Sequence, residues 1–296
     1  NYPSLLKQIP DFPVVLFVVS RLNSKKKAVR GILDSLQVAM VGTRRMTSYG
    51  KFVSQKFATE LALAGIPVVS GFMYGVDQTA QIAALDAGGK TIGVLGYGFE
   101  QVPRRDQRLF ENFLEQGAVF VSEYPWWYAP QKWTFVERNR IIAGLAQVTV
   151  VCEAAARSGS LITAQAALDY NREVCAVPGP ITSRYSEGTQ WLINQGASLV
   201  RSVEDIFELL PELSQNEINL QSKSKITDQP ISLETNILKE LGDAGQTTDS
   251  LAQRLNLPIA AILKVLTDLE LQGKISHVGC VWMLRYNSVK MKRLKK

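Results

Sequence analysis

The chain has 296 residues, 46% of them hydrophobic, with one histidine, three cysteines and a formal net charge of +6. This is enough for one large α/β domain plus a small module, and it excludes a disordered chain. No apolar stretch reaches the roughly 18 to 20 residues that cross a bilayer and no signal peptide opens the sequence, so a soluble, cytoplasmic protein with no membrane association is expected.

Asn1 is not an initiator methionine, so the segment is expected to be trimmed at its start. The charge is unevenly spread. Lys25, Lys26, Lys27 and Arg30 form one basic cluster, and Lys290, Lys292, Arg293, Lys295 and Lys296 form another. Those nine cations exceed the net +6 and leave the rest of the chain at −3. Such runs are usually solvated loops or tails, so an argument for nucleic acid has to come from individual arginines in the body of the chain.

From residue 36 onward, short β-branched runs alternate with helical patterns. LQVAMVG, IPVVSG, KTIGVLG, AVFVSEY, VTVVCEA, EVCAVPG and ASLVRS are almost continuously apolar, as strands buried on both faces are. Amphipathic segments lie between them at residues 47–64, 77–87, 106–116, 134–145, 160–170 and 186–194. The pattern predicts an α/β fold with a doubly wound, largely parallel sheet spanning residues 1–211. Cys152 and Cys175 fall inside apolar runs, where a free cysteine packs as a small hydrophobe.

After Pro211, residues 212–232 are polar without a periodic apolar face and read as a linker. Residues 233–286 then give three short helical patterns, with Thr-Thr-Asp at a helix start, and an alternating segment around a His277-Val278-Gly279 turn. Three helices closed by a hairpin predict a winged helix. Residues 287–296 are left as a basic tail.

Loops at the carboxyl ends of parallel strands are where α/β sheets bind ligands. Four of them carry glycine or small polar residues: Gly42-Thr43-Arg44-Arg45, Ser70-Gly71 with Gly75, Gly96-Tyr97-Gly98 with Arg104 and Arg105 beyond it, and Arg157-Ser158-Gly159-Ser160. Glycine admits close backbone approach, and helix N-termini offer free N–H groups at a positive dipole end. Together the four loops predict an anion seat, most simply for phosphate, although each alone also fits a tight turn or cap. The stretch Lys132 to Leu145 adds Phe135, Arg138, Asn139 and Arg140, preceded by Tyr124, Trp126, Trp127 and Tyr128. Aromatics beside cations suit stacking on unpaired nucleobases, with arginines on the backbone between them; the tryptophans also fit a core or interface role.

Catalytic signatures are weak. GVLGYG has the spacing G-x-x-G-x-G rather than the dinucleotide G-x-G-x-x-G, and no Walker lysine follows a glycine loop. Asp77, Glu123 and Glu153 lie near strand ends with no evident partner. One histidine, His277, and no paired cysteines exclude a zinc site or a histidine triad, so no metal and no cofactor are expected.

VGTRRMTSYG, SGFMYGVDQTAQIAAL, SEYP, FVERNRIIAGL and EAAARSGSLITAQAALDYNREVCAVPG, in this order, resemble the DNA-processing protein A family over roughly residues 2–210. The resemblance implies a Rossmann-like core that binds single-stranded DNA, protects it, forms a homodimer and loads the RecA recombinase in natural transformation, with a C-terminal winged helix. It places the DNA pocket on Arg44, Lys132, Phe135 and the Arg157–Ser160 loop. Met73, Gln81 and Phe99 stand where the family has a small residue, a histidine and an acidic residue. Phosphoribohydrolases with a related fold carry P-G-G-x-G-T-x-x-E at the comparable loop, and Thr163 occupies the position of that acid. A non-catalytic DNA binder is therefore expected, with a nucleotide-hydrolysing enzyme as the alternative. The edge at Trp191-Leu192-Ile193 is the expected dimer contact, with Ile193 its probe.

Overall fold

A computed structural model describes residues 2–22, 26–210, 233–241, 246–278 and 281–284. The predicted linker at 212–232, the basic tail at 287–296 and Lys25 lie outside the described residues. The chain divides into two compact units, residues 1–224 and 225–296.

The first unit is built on an eight-stranded sheet in the order β1-β5-β4-β3-β2-β6-β7-β8. Its strands are β1 (Phe17–Ser20), β2 (Val38–Val41), β3 (Val68–Ser70), β4 (Thr91–Leu95), β5 (Val119–Ser122), β6 (Val148–Val151), β7 (Glu173–Ala176) and β8 (Ser198–Leu199). All neighbours pair in parallel except β1, which runs antiparallel to β5 at one edge. β2 to β6 are buried on both faces, which is why their sequences read as unbroken apolar runs. β1 adds an eighth strand to the seven that the sequence pattern predicts. Its half-exposed edge position permits the irregular composition that hid it.

The helices are α1 (Lys26–Leu33), α2 (Ser48–Leu63), α3 (Val76–Asp86), α4 (Arg104–Glu115), α5 (Lys132–Leu145), α6 (Ser160–Asp169), α7 (Glu187–Asn194) and α8 (Val203–Phe207). The first basic cluster is thus largely a helix rather than a loop, and Arg30 pairs with Asp34 at 3.2 Å one turn on. One face of the sheet packs Leu6, Ile9, Ile141, Leu145 and Ala164; the other packs Phe57, Leu61, Ala80 and Ile206. Cys152 and Cys175 are buried among them, and burial pushes the Cys152 thiol up to about 12, so it is an inert packing group. In α7, Leu192 is buried and Ile193 packs against the core, so Ile193 is not a surface probe; Trp191 is the exposed member of that trio.

The order of strands has one consequence for function. From β2 the chain winds through β3 and β4 to β5 on one side, then crosses to β6 on the other side of β2. The loops following β2 and β6 therefore depart in opposite directions and leave a crevice at their carboxyl ends.

The second unit has helices α9 (Leu233–Leu241), α10 (Thr248–Leu255) and α11 (Ile259–Leu271), and a small sheet of β9 (Gln246–Thr247), β10 (Ile275–Val278) and β11 (Val281–Leu284) in the order β10-β11-β9. This is the winged-helix arrangement. Thr247 caps α10 by accepting the Ser250 N–H at 3.2 Å, which fits the Thr-Thr-Asp signal. His277 and Val278 are paired strand residues, opposite Trp282 and Val281, rather than the turn expected there; the connection falls on residues 279–280, outside the described residues.

Candidate functional site

A cleft of about 990 Å³ opens at the crevice between the β2 and β6 loops. Its walls come from residues 42–45 after β2, Met73, Tyr74 and Asp77 around the start of α3, one face of α5, residues 155–160 after β6, Arg184 and Tyr185 before α7, and Glu187 at its start.

The β2 loop is held from beneath by Glu153, which is buried. Its carboxylate accepts the Thr47 N–H at 2.8 Å and the Thr47 hydroxyl at 2.6 Å, and its carbonyl accepts the Thr43 N–H at 2.7 Å. The loop is thus tied at both ends, and Arg44 and Arg45 project between the ties. Gly75, at φ +95°, lies so close to the Thr43 carbonyl that a side chain there would collide with it. The Val76 N–H completes the junction by donating to the Thr43 carbonyl at 3.3 Å.

Helical periodicity sorts the α5 residues. Lys132, Phe135, Val136, Asn139 and Ile142 share the face that lines the cleft. Arg138 and Arg140 do not, and for them the expectation of a DNA contact is corrected. Arg138 is 3% exposed: its Nη1 donates to the Gly71 carbonyl at 2.6 Å and to the Val94 carbonyl, beneath the cleft. Burial lowers the pKa of this guanidinium and the charge of Asp77 raises it; for Asp77, burial raises the pKa and Arg138 lowers it. Arg140 donates to both oxygens of Glu123 at 2.6 and 2.7 Å, away from the cleft. Asp77, Glu123 and Glu153 all have structural partners, which sequence adjacency did not reveal.

Ser70 and Gly71 are likewise internal. The Ser70 hydroxyl donates to the Met40 carbonyl at 2.6 Å, while the Gly71 N–H donates to Asp77 at 3.1 Å and its carbonyl is taken by Arg138. The Gly96–Gly98 loop packs under α5 and the 125–128 segment, with the Gly98 N–H donating to the Tyr128 carbonyl at 2.9 Å, so it contributes nothing to the cleft. Arg104, exposed at the start of α4, is also outside the cleft wall. Trp126, Trp127 and Trp133 are exposed but stand outside the cleft as well.

The structure brings Gly42, Thr43, Arg44, Lys132, Phe135, Asn139, Arg157, Ser158, Gly159 and Ser160 together around one space. Arg45, named in the first of the four loops but not as a DNA contact, joins them, as do Tyr74, Arg184 and Tyr185, which were not singled out for it. Arg45 had the signal, since it adjoins Arg44; Tyr185 had none, because β7 and a long loop separate it from the other walls. Among the described residues, Arg44, Arg45, Lys132 and Arg157 have no carboxylate within ion-pair distance. At the start of α6 the Ser158 and Ser160 hydroxyls are 2.8 Å apart and hydrogen-bonded to each other. The exposed Gly159 has open space where a side chain would be and an N–H without an acceptor among the described residues. Free cations, a free helix N-terminal N–H and a half-buried ring are groups able to receive an anion that carries a planar group.

The sequence profile of DNA recombination-mediator protein A matches residues 1–211, and that of the DprA winged helix domain matches residues 221–279. The chain belongs to the DNA recombination-mediator protein A family. Protein Smf of Escherichia coli (strain K12) is 39% identical over 285 residues, covering 94% of this chain and 73% of the relative. DNA processing protein DprA of Bacillus subtilis (strain 168) is 40% identical over 212 residues, 72% of this chain and 69% of the relative. Among solved structures, DprA of Streptococcus pneumoniae aligns with TM-score 0.63 at 38% identity over 70% of each chain. DNA processing protein A of Helicobacter pylori, described for its single-stranded DNA binding mode, aligns with TM-score 0.63 at 30% identity over 72% of this chain and 94% of its own.

Proposed function

We propose that this chain is a non-catalytic, cytoplasmic single-stranded DNA-binding protein that protects incoming DNA and loads the RecA recombinase onto it in natural transformation. The observation that carries the reading is the set of unpaired cations around Phe135 at the sheet's switch point. Unpaired bases can be splayed onto such a ring while phosphates meet Arg44, Lys132 and Arg157. A duplex hides its base faces and leaves the ring without a partner. Membership of a family whose Helicobacter pylori relative binds single strands supports the same reading.

Thr163 is buried in α6 where phosphoribohydrolases place their glutamate, and Asp77, the buried carboxylate at the cleft wall, is tied to the Gly71 N–H. This supports binding over glycosidic cleavage. Gel shifts with single- and double-stranded DNA of one sequence test the proposal. Tighter single-strand binding that falls steeply with salt is expected, because each phosphate contact releases counterions. Equal affinity for duplex, or release of free base from nucleoside monophosphates, overturns it.

The same reading includes a homodimer through the Rossmann-like core. Trp191 of α7 and Leu199 of the edge strand β8 are apolar and 49% and 44% exposed, and an isologous contact through them would join two DNA sites. Light scattering of the full chain is expected to show a dimer and Trp191→Glu a monomer; a dimer that survives the substitution places the contact elsewhere.

A further inference from the structure

Tyr74 has no ring partner and no hydroxyl hydrogen bond among the described residues, and at 44% exposure it stands open at the cleft wall. What meets its ring is guanidinium. The Arg44 Cζ lies 6.0 Å from the Tyr74 centroid and 6.0 Å from that of Phe135, and the Arg105 Cζ lies 5.6 Å from Tyr74 on the side leading to α4. Ring and cation alternate from Phe135 through Arg44 and Tyr74 to Arg105. Hydrogen bonds that hold the loop bearing Tyr74 include Val76 N–H to the Thr43 carbonyl at 3.3 Å, Gln78 N–H to the Met73 carbonyl at 3.0 Å, Met73 N–H to Asp77 at 3.4 Å, and the Gln78 side-chain amide to the Phe72 carbonyl at 3.2 Å. The ring is therefore presented on a fixed support, which lowers the ordering cost of binding.

We infer that Tyr74 is a second nucleobase-stacking platform and that Arg105 takes a phosphate beyond it, so that the bound strand leaves the cleft across the start of α4. The inference rests on the reading of the cleft as a single-strand DNA site. Stacking tolerates every base, since each has a π face, and the alternating cations match a backbone that carries one charge per nucleotide. Arg105 also pairs with Asp106 at 3.3 Å, so its share is smaller than that of the unpaired Arg44.

The test is fluorescence anisotropy with the full chain, a labelled oligothymidylate and an abasic strand of the same length. Tyr74→Ala is expected to weaken oligothymidylate binding roughly 5- to 150-fold, the range that one lost base stack gives, with an unchanged salt slope. Tyr74→Phe should retain the affinity. On the abasic strand, Tyr74→Ala and the wild type should bind alike, and Arg105→Ala should lower the salt slope on either strand by less than the roughly one expected of an unpaired cation. Wild-type affinity of Tyr74→Ala for oligothymidylate, or an equal loss on the abasic strand, overturns the inference, the second outcome making the ring a mere prop for Arg44. Arg44→Ala separates the levels: if it weakens binding while Tyr74→Ala does not, the cleft stands and the platform falls. Full affinity in Arg44→Ala removes the cleft itself.

Discussion

The floor and the rim of the cleft use the same residue type in opposite ways. Beneath the cleft, Arg138 is buried, donates to two backbone carbonyls from different strand ends and feels the charge of Asp77. At the rim, Arg44 is bracketed by two rings and has no carboxylate within reach among the described residues. A buried cation tied to backbone carbonyls belongs to the fold, because freeing it for a ligand would strand its partners. A cation held in place by neighbouring rings and tied loops, yet unpaired, still has its charge to offer. The contrast explains why two arginines and an asparagine in the consecutive run Arg138-Asn139-Arg140 have three separate surroundings.

Breaking the floor should have the largest effect. Arg138→Met leaves Asp77 buried without its countercharge and is expected to cost about 3–5 kcal/mol of stability, read by urea unfolding. The pH dependence follows from the direction of the Asp77 shift. Burial raises its folded-state pKa above the unfolded value, and removing Arg138 raises it further. The folded variant then binds the extra proton, so its stability should fall as pH rises through the window between the two pKa values and recover on acidification. Stability that instead rises with pH across that window would show that Asp77 is held by other groups.

Breaking the rim should leave the fold intact and remove binding. The double substitution Arg44→Ala, Lys132→Ala is expected to reduce the slope of log affinity against log salt by about two, with unchanged circular dichroism. Wild-type affinity in that variant would refute the cleft as the DNA site. Phe135→Ala is next in size, at about 1–3 kcal/mol of binding with the salt slope retained. Its ring also packs edge-on against Tyr97 at 5.9 Å, so a loss of folded signal would assign it to the floor rather than the rim.

The smallest effect sharpens the comparison most. A side chain at Gly71 would collide with Arg138 and Asp77, whereas at Gly159, with φ −61°, it would meet nothing. Gly159→Ala is expected to gain about 0.4–1 kcal/mol of stability, since alanine accepts this backbone conformation and the unfolded chain loses freedom. Its affinity for single strands should nevertheless fall, because the methyl group would occupy the approach to the Gly159 N–H. Unchanged affinity would show that nothing comes close to that backbone.

Much of this was legible in the chain. Seven apolar runs gave seven strands of the sheet, because strands buried on both faces have no room for polar residues. The helix starts agreed to within two residues where a cap or a strand end fixed them, as at Ser48, Val76 and Ser160. The loop residues Arg44 and Arg157 to Ser160 were placed at the cleft by strand-end logic and family motifs together. β1 and α1 were missed because an edge strand and a surface helix need no continuous apolar pattern.

The sequence by itself determined the α/β class, the winged helix after it and the supply of cations and aromatics at strand ends, since these depend on local periodicity and composition. Only the tertiary structure decided which of those residues face the cleft. The strand order puts the crevice between β2 and β6, the pitch of α5 turns Asn139 toward it and Arg138 and Arg140 away, and the chain after β7 brings Arg184 and Tyr185 to its wall. These are questions of direction in space, which residue spacing along the chain leaves open until the sheet fixes where each helix lies.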